Sequence, residues 1–378
     1  MANTDPLNIG ITCHPTIGGS GVLACALGEE LARRGHSVHF ISYERPFRLP
    51  AHAPRIHFHK VHVSNYGLFK YPDYTLPLSV KIAEVSEHCK LDILHSHYAV
   101  PHATAAILAN SMLPPDQRPK LVTTLHGTDT TLLGREEGYG PAIRHALEQS
   151  DAVTAVSHDL RRQTLELFPI QRPIDVIHNF FTPRSPVRLR EQVRRELEVG
   201  DRALILHVSN LRSVKRIDLL LHTAALIRPK DSFKLVILAG DSFAPFIPEM
   251  KRLGLEDRVI VIEKVQDIED YLQAADMGLF TSETESFCLS ILEAMCFACP
   301  SVATRVGGIP EVIEHEKTGL LADFGDAAKL AREVESLIND PARRKQLGQA
   351  AQERAKRLFS ADAIVPQYEA LYRRTLAN

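Results

Sequence analysis

The sequence contains no tryptophan, and aromatic residues make up only 6% of its 378 positions. It also lacks an excess of either charge, because 44 lysines and arginines face 46 aspartates and glutamates, for a formal charge of −2. This balance argues against the basic surface of a nucleic-acid-binding or membrane-surface protein. Apolar runs long enough to cross a bilayer are missing, and nothing before Leu7 resembles a signal peptide. We therefore expect a cytoplasmic protein that acts on small molecules.

Cysteine is scarce, with six residues, and metal-binding patterns are missing. Cys296 and Cys299 form a C-x-x-C pair, but a zinc site needs two further ligands at suitable spacing. A redox pair would open a helix after a strand, whereas this pair follows the helical stretch SILEAM. The sequence also has no D-x-D to hold a metal diphosphate. We interpret the two cysteines as buried thiols and expect no metal cofactor.

Length and hydrophobic patterning predict two α/β domains, since 378 residues exceed one compact core. Short apolar runs such as LNIGITC and KLVTTLH alternate with helical patterns, and a second series begins near Ala203. This alternation is typical of parallel sheets covered by helices on both faces. We expect two doubly wound, Rossmann-like domains facing across a cleft, with NFFTPRSPVRLREQ as the linker. The predicted domains are residues 1–180, completed by the C-terminal helix 361–378, and residues 181–360.

A glycine-rich loop, HPTIGGSG, follows the first predicted strand and precedes a helix. Helix N-termini bind phosphate groups, and glycines let the backbone approach a ligand closely. The loop lacks the G-K-[ST] of a nucleotide-binding P-loop, and its match to G-x-G-x-x-G fails at Ala24. A dinucleotide-dependent oxidoreductase is therefore disfavoured. The residues alone leave both a phosphate site and a plain tight turn open.

Polar side chains follow two further strands of the first series. LHSHY places His95, His97 and Tyr98 after one strand, and TTLHGTD places Thr124 and His126 after the next. Ligands of such sheets sit at the carboxyl ends of the strands. Histidines there can bind metals, but no carboxylate-rich cluster accompanies them. We interpret these residues as a polar floor for an acceptor substrate.

Cations and carboxylates follow strands of the second series. VSNLRSVKRID contains three cations, among them Arg212 and Lys215, and TETESFCLSILEAM contains Glu285 and Glu293. Because these glutamates are eight residues apart, we expect them on one face of a helix whose first N–H groups come from Ser286 and its neighbours. Cations suit a diphosphate, and carboxylates suit sugar and ribose hydroxyls. This half of the chain therefore predicts a nucleotide-sugar site.

The motif E-S-F-x-L-x-x-L-E-A-M, followed by GGIPEVI, resembles the signature of the retaining family 4 glycosyltransferases, which have the GT-B fold. ITCHPTIGGSG, HSHYAVPHA, TTLHGTD and VSNLRSVKR are similar to one branch of that family. This branch transfers N-acetylglucosamine from UDP-N-acetylglucosamine to L-malate, the first step of bacillithiol biosynthesis. The resemblance covers nearly the whole chain. It implies a metal-independent enzyme without nucleic-acid or membrane partners, and a homodimer stays open.

The resemblance also implies a role for each candidate residue. The implied catalytic residues are His126, beside the anomeric carbon, Arg212 and Lys215, on the diphosphate, and Glu285, on the donor sugar. The implied donor-binding residues are Gly18, Gly19, Ser20, Asn210, Ser286, Phe287 and Glu293. The implied acceptor-binding residues are Lys70, Tyr98, Thr124 and Arg144. Two cations among the acceptor residues match the two carboxylates of malate.

Some positions depart from the family pattern. Cys288 and Ala298 stand where glycine is usual, and GDSF, from residue 240, replaces a G-D-G-P loop. We expect Cys288 to alter the fit of the donor pocket. The alternatives are a family 4 transferase with an inositol phosphate, sugar or lipid acceptor, and a GT-B nucleotide-sugar epimerase. A binding protein without turnover is a further alternative, and loss of Lys215 would not affect catalysis in such a protein.

Overall fold

The computed structural model describes residues 5–15, 19–46, 48–49, 53–63, 74–136 and 138–378. Two compact units are present: the first is the chain up to Asn179 together with Ala361–Asn378, and the second is Phe180–Ser360. The predicted site residues Gly18 and Lys70 lie outside the described residues. Within the described ranges, no helix has both the length and the apolar character needed to span a bilayer.

The first unit is built on a parallel sheet of seven strands in the order β3-β2-β1-β4-β5-β6-β7. The strands are β1 (Asn8–Thr12), β2 (Ser37–Ser42), β3 (Ile56–Lys60), β4 (Ile93–His97), β5 (Lys120–Leu125), β6 (Ala152–Ala155) and β7 (Ile174–Val176). The helices between them are α1 (Gly19–Arg33), α2 (Thr75–Cys89), α3 (Thr104–Met112), α4 (Gly140–Gln149) and α5 (His158–Leu167). The strand–helix alternation of the sequence thus appears as a doubly wound sheet.

Helix α2 shows how sequence spacing builds this unit. It buries Leu78, Ile82 and Val85, which recur at the i, i+4, i+7 spacing of one helix face. These side chains pack with Ile41 of β2 and Leu94 of β4 in one apolar cluster. Burying a side chain of this size contributes about 1.5–3 kcal/mol. This packing holds α2 against the sheet. The polar residues of the predicted site follow the carboxyl ends of β4 and β5.

The second unit contains a six-stranded parallel sheet in the order β10-β9-β8-β11-β12-β13. Its strands are β8 (Ala203–Ser209), β9 (Phe233–Ala239), β10 (Val259–Glu263), β11 (Met277–Phe280), β12 (Ser301–Thr304) and β13 (Gly319–Ala322). Its helices are α6 (Arg190–Glu196), α7 (Ile217–Leu226), α8 (Ile247–Arg252), α9 (Ile268–Ala274), α10 (Leu289–Cys296), α11 (Ile309–Val312), α12 (Ala327–Asn339) and α13 (Pro341–Leu358). The last helix, α14 (Ala361–Ala377), belongs to the first unit.

The segment predicted as a linker is anchored on the second unit. The carboxylate of Asp270 accepts hydrogen bonds from the backbone N–H of Val187 at 2.6 Å and from Nε of Arg188 at 2.8 Å. Helix α6 then begins at Arg190. This connecting segment is therefore held against the second unit, because the carboxylate of Asp270 on α9 pairs with the guanidinium of Arg188.

Candidate functional site

Adjacent parallel strands bring together the polar residues predicted in the first unit. Strand β4 pairs with β5, so the residues that follow them leave the sheet at the same edge. His97 Nδ1 lies 2.9 Å from His126 Nε2, and their rings stack with centroids 5.1 Å apart. The ring of Tyr98 lies 5.2 Å from that of His126. The structure therefore places Tyr98 and His126 in one group, as the strand ends indicate.

Tyr98 occupies an unusual backbone conformation, with φ at +92°. Such a conformation costs of order 1–3 kcal/mol and persists only where neighbouring groups hold it. The backbone N–H of Tyr98 donates to the carbonyl of Thr124 at 3.0 Å. Its hydroxyl donates to Ser20 Oγ at 2.9 Å, and Ser20 follows Gly19 at the start of α1. Tyr98 thus connects the end of β5 with the first turn after the glycine loop.

Thr124 is placed inside the first unit, with no exposed surface. Its Oγ1 lies 2.7 Å from His95 Nε2 and 2.7 Å from Thr154 Oγ1. The other ring nitrogen of His95 is 2.8 Å from the hydroxyl of Tyr372 on α14. Because these partners enclose the hydroxyl, the structure favours a supporting role through Tyr98 over direct contact with an acceptor.

Asp129 ends the TTLHGTD motif but received no role in the sequence-based assignment. It is fully buried, and its carboxylate accepts the backbone N–H groups of Ala99 at 3.0 Å and Gly127 at 3.2 Å. These two residues belong to the turns after β4 and β5, so Asp129 ties together the segments that carry Tyr98 and His126. Burial raises the pKa of Asp129 to about 6. Its place two residues after the glycine in H-G-T-D was the available signal, since Asp side chains often accept nearby backbone N–H groups in turns.

The histidines of this group are neutral at pH 7. Burial lowers the pKa of His95, His102 and His126 to about 3, and that of His97 well below its usual value. They therefore present no cation to a ligand, and among these four only His126 is partly exposed and able to exchange a hydrogen bond with one. Among the described residues, none of these histidines belongs to a three-ligand metal cluster.

Arg144 lies on α4, where its Nε donates to Glu148 Oε1 at 3.1 Å. Half of its side chain is exposed, and such i,i+4 pairs contribute only about 0.2–0.5 kcal/mol. A ligand carboxylate could replace Glu148 as the partner of the Arg144 guanidinium at a small cost in free energy. The malate-binding role of Arg144 stays a prediction.

In the second unit, the cations after β8 meet the carboxylates after β11. Lys215 Nζ lies 2.5 Å from Glu285 Oε1, and Ser282 Oγ donates to the same oxygen at 2.8 Å. Burial is the largest single effect and lowers the pKa of Lys215, but the charge of Glu285, the hydrogen bond to it and the thiol of Cys288 together raise that pKa above its usual value. Arg212 is exposed just before the short 3₁₀ turn Ser213–Lys215. Lys215 and Glu285 therefore form an ion pair, and Arg212 provides a second cation nearby, as the motifs indicate.

The prediction that Glu285 and Glu293 share one face of a helix is wrong. Helix α10 begins at Leu289, so Glu285 and Ser286 lie in the loop before it. Cys288 has φ at +71°, a left-handed conformation that a right-handed helix cannot include. Glu293 lies within α10 and is 6% exposed. The loop and the helix thus present the two carboxylates separately.

The GGIPEV segment supports the loop that carries Glu285. Gly307 has φ at +52°, and a Cβ there would lie 1.9 Å from the carbonyl oxygen of Glu285. A Cβ on Gly308 would lie 2.2 Å from the carbonyl oxygen of Ser286, and the N–H of Gly308 donates to Glu285 O at 2.9 Å. Phe287 is buried and packs edge-on against Phe359 at 5.5 Å. Gly307 and Gly308 are therefore candidate positioning residues. The GGIPEVI motif was recognised in the sequence, but neither glycine was assigned a role.

Asn210 contributes an unsatisfied acceptor after β8. Its Oδ1 is buried and has no hydrogen-bond partner in the part of the chain that the structure describes. An unpaired buried acceptor costs about 1–3 kcal/mol. Gly240 packs closely against this residue, since a Cβ there would lie 3.3 Å from the Asn210 Cα. The unsatisfied oxygen suits a hydrogen-bond donor of a ligand.

The C-x-x-C pair has the properties of unreactive thiols. Cys299 is buried and Cys296 partly exposed, and neither forms a disulfide. Burial raises the pKa of both thiols to about 12. Since the thiolate is the reactive form, the pair is unsuited to redox chemistry at neutral pH.

Two family models match the chain. Residues 17–185 match the model described as Glycosyltransferase Family 4, and residues 190–354 match Glycosyl transferases group 1. The chain is 42% identical to N-acetyl-alpha-D-glucosaminyl L-malate synthase of Bacillus anthracis, over 97% of this chain and 96% of that protein. It is 26% identical to D-inositol 3-phosphate glycosyltransferase of Corynebacterium efficiens, over 98% of this chain and 93% of that protein.

Solved structures share the fold at low sequence identity. The Anabaena protein HepE in complex with UDP superposes with a TM-score of 0.77 at 20% identity, covering 97% of this chain and 99% of HepE. Sucrose-phosphate synthase from Thermosynechococcus elongatus gives a TM-score of 0.79 at 22% identity, covering 98% of this chain and 99% of that one. The predicted α/β class with two Rossmann-like domains is confirmed.

Proposed function

The chain belongs to glycosyltransferase family 4, and we propose that it transfers N-acetylglucosamine from UDP-N-acetylglucosamine to the hydroxyl of L-malate with retention of configuration. It is a transferase with the GT-B fold. The observation that carries the proposed acceptor is the 42% identity with the Bacillus anthracis malate synthase over 97% of the chain. The reaction would be the first step of bacillithiol biosynthesis.

We assign the donor to residues of the second unit, with three further residues from the glycine loop of the first unit. The ammonium of Lys215 and the guanidinium of Arg212 supply positive charge for a diphosphate. Glu285 would accept hydrogen bonds from the sugar, and Glu293 from the uridine ribose. The proposal of a UDP-sugar is supported by the crystal structures of HepE with UDP and with UDP-glucose, at 20% and 21% identity. The remaining donor residues are assigned from the resemblance: Gly18, Gly19, Ser20, Asn210, Ser286 and Phe287.

We assign the acceptor to the first unit. Tyr98 and His126 form its polar floor, and Arg144 and Lys70 would hold the two carboxylates of malate. A buried carboxylate is stable only with a charged or strongly hydrogen-bonding partner, so two cations suit a diacid. Thr124 would act indirectly, through its carbonyl on Tyr98 and its hydroxyl on His95.

The chemistry we propose is a front-side displacement. The malate hydroxyl oxygen forms a bond to the anomeric carbon on the face from which the bond to the UDP oxygen breaks. The hydroxyl proton passes to the departing diphosphate. His126 is too weak a base for this proton, because burial lowers its pKa to about 3. Lys215 would stabilise the negative charge that grows on the leaving group, a contribution of about 3–4 kcal/mol for one preorganised donor.

The experiment is to incubate the protein with UDP-N-acetylglucosamine and L-malate, lactate or inositol 3-phosphate, and to measure released UDP and product mass. We expect a glycosylated malate with the α-anomeric coupling by NMR, and the same rate after treatment with a chelator. Turnover with inositol 3-phosphate and none with malate would refute the acceptor. Conversion of the donor sugar without any acceptor would indicate an epimerase. Loss of activity in chelator, restored by a divalent ion, would refute metal independence.

A homodimer stays a prediction, and the molar mass in solution tests it. The cytoplasmic location also stays a prediction. Neither affects the assay, because purified protein and two small-molecule substrates are sufficient for the proposed reaction.

A further inference from the structure

Three side chains with metal-binding atoms converge on the first unit, away from the residues discussed so far. His39 lies on β2, His59 on the neighbouring strand β3, and Cys89 is the last residue of α2. One ligand atom from each lies within 4.8 Å of the other two. We call these three residues the His–Cys cluster. They come from three different elements, so their proximity is a product of the fold and not of local sequence.

The register of the sheet explains why the histidines meet. Strands β2 and β3 are parallel, with Ile41 opposite His59 and His39 opposite His57. His39 and Ile41 share one face because side chains alternate along a strand. Ile41 packs against α2 in the apolar cluster, and Cys89 packs against the same cluster. The end of α2 is thereby brought to the face that carries the two histidines.

The hydrogen bonds of His39 leave one ring nitrogen directed into the cluster. Its Nε2 lies 3.1 Å from Ser37 Oγ, and its Nδ1 lies 3.0 Å from His59 Nε2. When the Nε2 proton is donated to Ser37, Nδ1 carries a lone pair. Metal-binding histidines are typically oriented in this way, by a hydrogen bond from the ring nitrogen that does not bind the ion. His57 stacks on His39 with centroids 4.7 Å apart and restricts its rotation further.

We propose that the His–Cys cluster binds a divalent transition-metal ion of the zinc type. Two imidazoles and one thiolate are ligands that zinc prefers, and water would complete a four-coordinate site. Binding would release the thiol proton to solvent, whereas the proton between the two imidazoles would move, through water, to the other ring nitrogen of His59, so that both rings stay neutral. Zn–N bonds of about 2.0–2.1 Å in a tetrahedron place two nitrogens about 3.3 Å apart, so the histidines need to separate only slightly.

The position of the cluster indicates an ion that takes no part in the transfer reaction. His39 is the third residue of β2, and α2 runs back along the sheet to end at Cys89, whereas the proposed acceptor residues follow the carboxyl ends of β4 and β5. An ion here would connect the edge strand β3 to β2 and α2. The proposal is therefore independent of the transfer reaction and compatible with turnover in chelator.

The test is a cobalt titration of the reduced, chelator-stripped protein. Cobalt bound by a thiolate gives a sulfur-to-metal charge-transfer absorption in the near ultraviolet, so the spectrum reports the ligand as well as binding. We expect one equivalent of Co²⁺ to produce this band and Zn²⁺ to abolish it. Cys89→Ser should lose the band, and His59→Gln should weaken binding by about tenfold or more. Cys296→Ser, which removes a partly exposed thiol of the second unit, is the matched control and should keep the band.

A second measurement separates a specific site from loose binding. Zinc should raise the melting temperature of the parent and of Cys296→Ser but not that of Cys89→Ser, because an ion bound only to the folded chain stabilises it. A parent that takes up no Co²⁺ would overturn the proposal. A charge-transfer band that survives in Cys89→Ser would also overturn it, since the sulfur would then come from elsewhere.

Discussion

Replacing Gly307 with alanine tests whether the GGIPEV segment positions Glu285. The new Cβ would lie 1.9 Å from the carbonyl oxygen of Glu285, whereas such atoms are essentially never closer than 3.0 Å. The contact is with backbone, so no side-chain rotation can relieve it. The two backbone segments must therefore separate by about 1 Å or more, and we expect the loop that holds Glu285, with the carboxylate beside Lys215, to be displaced.

The magnitude follows from two separate effects. Alanine in the left-handed conformation costs roughly 1–2 kcal/mol of stability. A displacement of about 1 Å in a positioning group lowers turnover by about a hundredfold. Gly254→Ala isolates the first effect, because Gly254 has φ at +63° and no atom lies within 4 Å of the position that its Cβ would take. We expect both variants to lose stability and only Gly307→Ala to lose most of its activity.

The assay is steady-state release of UDP, measured with the melting temperature of the same preparations. A kcat for Gly307→Ala within about threefold of that for Gly254→Ala would refute the positioning argument, which requires a loss of about a hundredfold. Gly308→Ala gives an independent check, since its Cβ would lie 2.2 Å from the carbonyl oxygen of Ser286. Gly308→Ala should also lose most of its activity. Loss of activity in Gly307→Ala and Gly308→Ala, but not in Gly254→Ala, would attribute the loss to displacement of the loop and not to backbone strain at one residue.

Lys215→Ala should lower kcat about a hundred- to a thousandfold and change the KM for malate little, because the ammonium acts on charge that develops in the transition state; steady-state kinetics check this. Arg144→Ala should raise the KM for malate about ten- to hundredfold and leave the KM for the donor unchanged, and equal malate kinetics would remove Arg144 from the site. Because burial lowers the pKa of His95 and His102 to about 3, only the unfolded chain gains their protons as pH falls below about 6.5. The free energy of unfolding should therefore decrease toward acid by up to about 1.4 kcal/mol per pH unit for each histidine, and equal urea midpoints at pH 7 and pH 5 would contradict this.

The sequence predicted the fold and the grouping of polar residues because both follow from strand patterning. The residues that follow the carboxyl ends of parallel strands lie at one edge of the sheet, independently of the conformation of the loops. Tyr98 and His126 therefore meet in the first unit, and Lys215 and Glu285 meet in the second, with Nζ and Oε1 2.5 Å apart. Strand β13, the four residues GLLA, carries too little pattern to be distinguished from a buried turn.

Details that depend on backbone conformation could not be predicted in the same way. Spacing suggested that Glu285 and Glu293 share a helix, but spacing is informative only once the helix limits are known, and α10 begins at Leu289. Thr124 was assigned to the acceptor from the resemblance, but the partners of its hydroxyl, His95 and Thr154, could not be predicted. Such partners come from distant parts of the chain, so no local pattern reveals them.

Two of the departures from the family motif have a common physical basis. Cys288 and Ala298, where glycine is usual, both adopt left-handed conformations, with φ at +71° and +54°. Glycine suits these positions because it has no Cβ, so the motif reflects the turns at the two ends of α10 as well as space for a donor. The buried thiol of Cys288 interacts with Glu285, and burial raises its pKa well above the usual value. This chain therefore accepts backbone strain at Cys288 and gains a neutral side-chain partner for the carboxylate that pairs with Lys215.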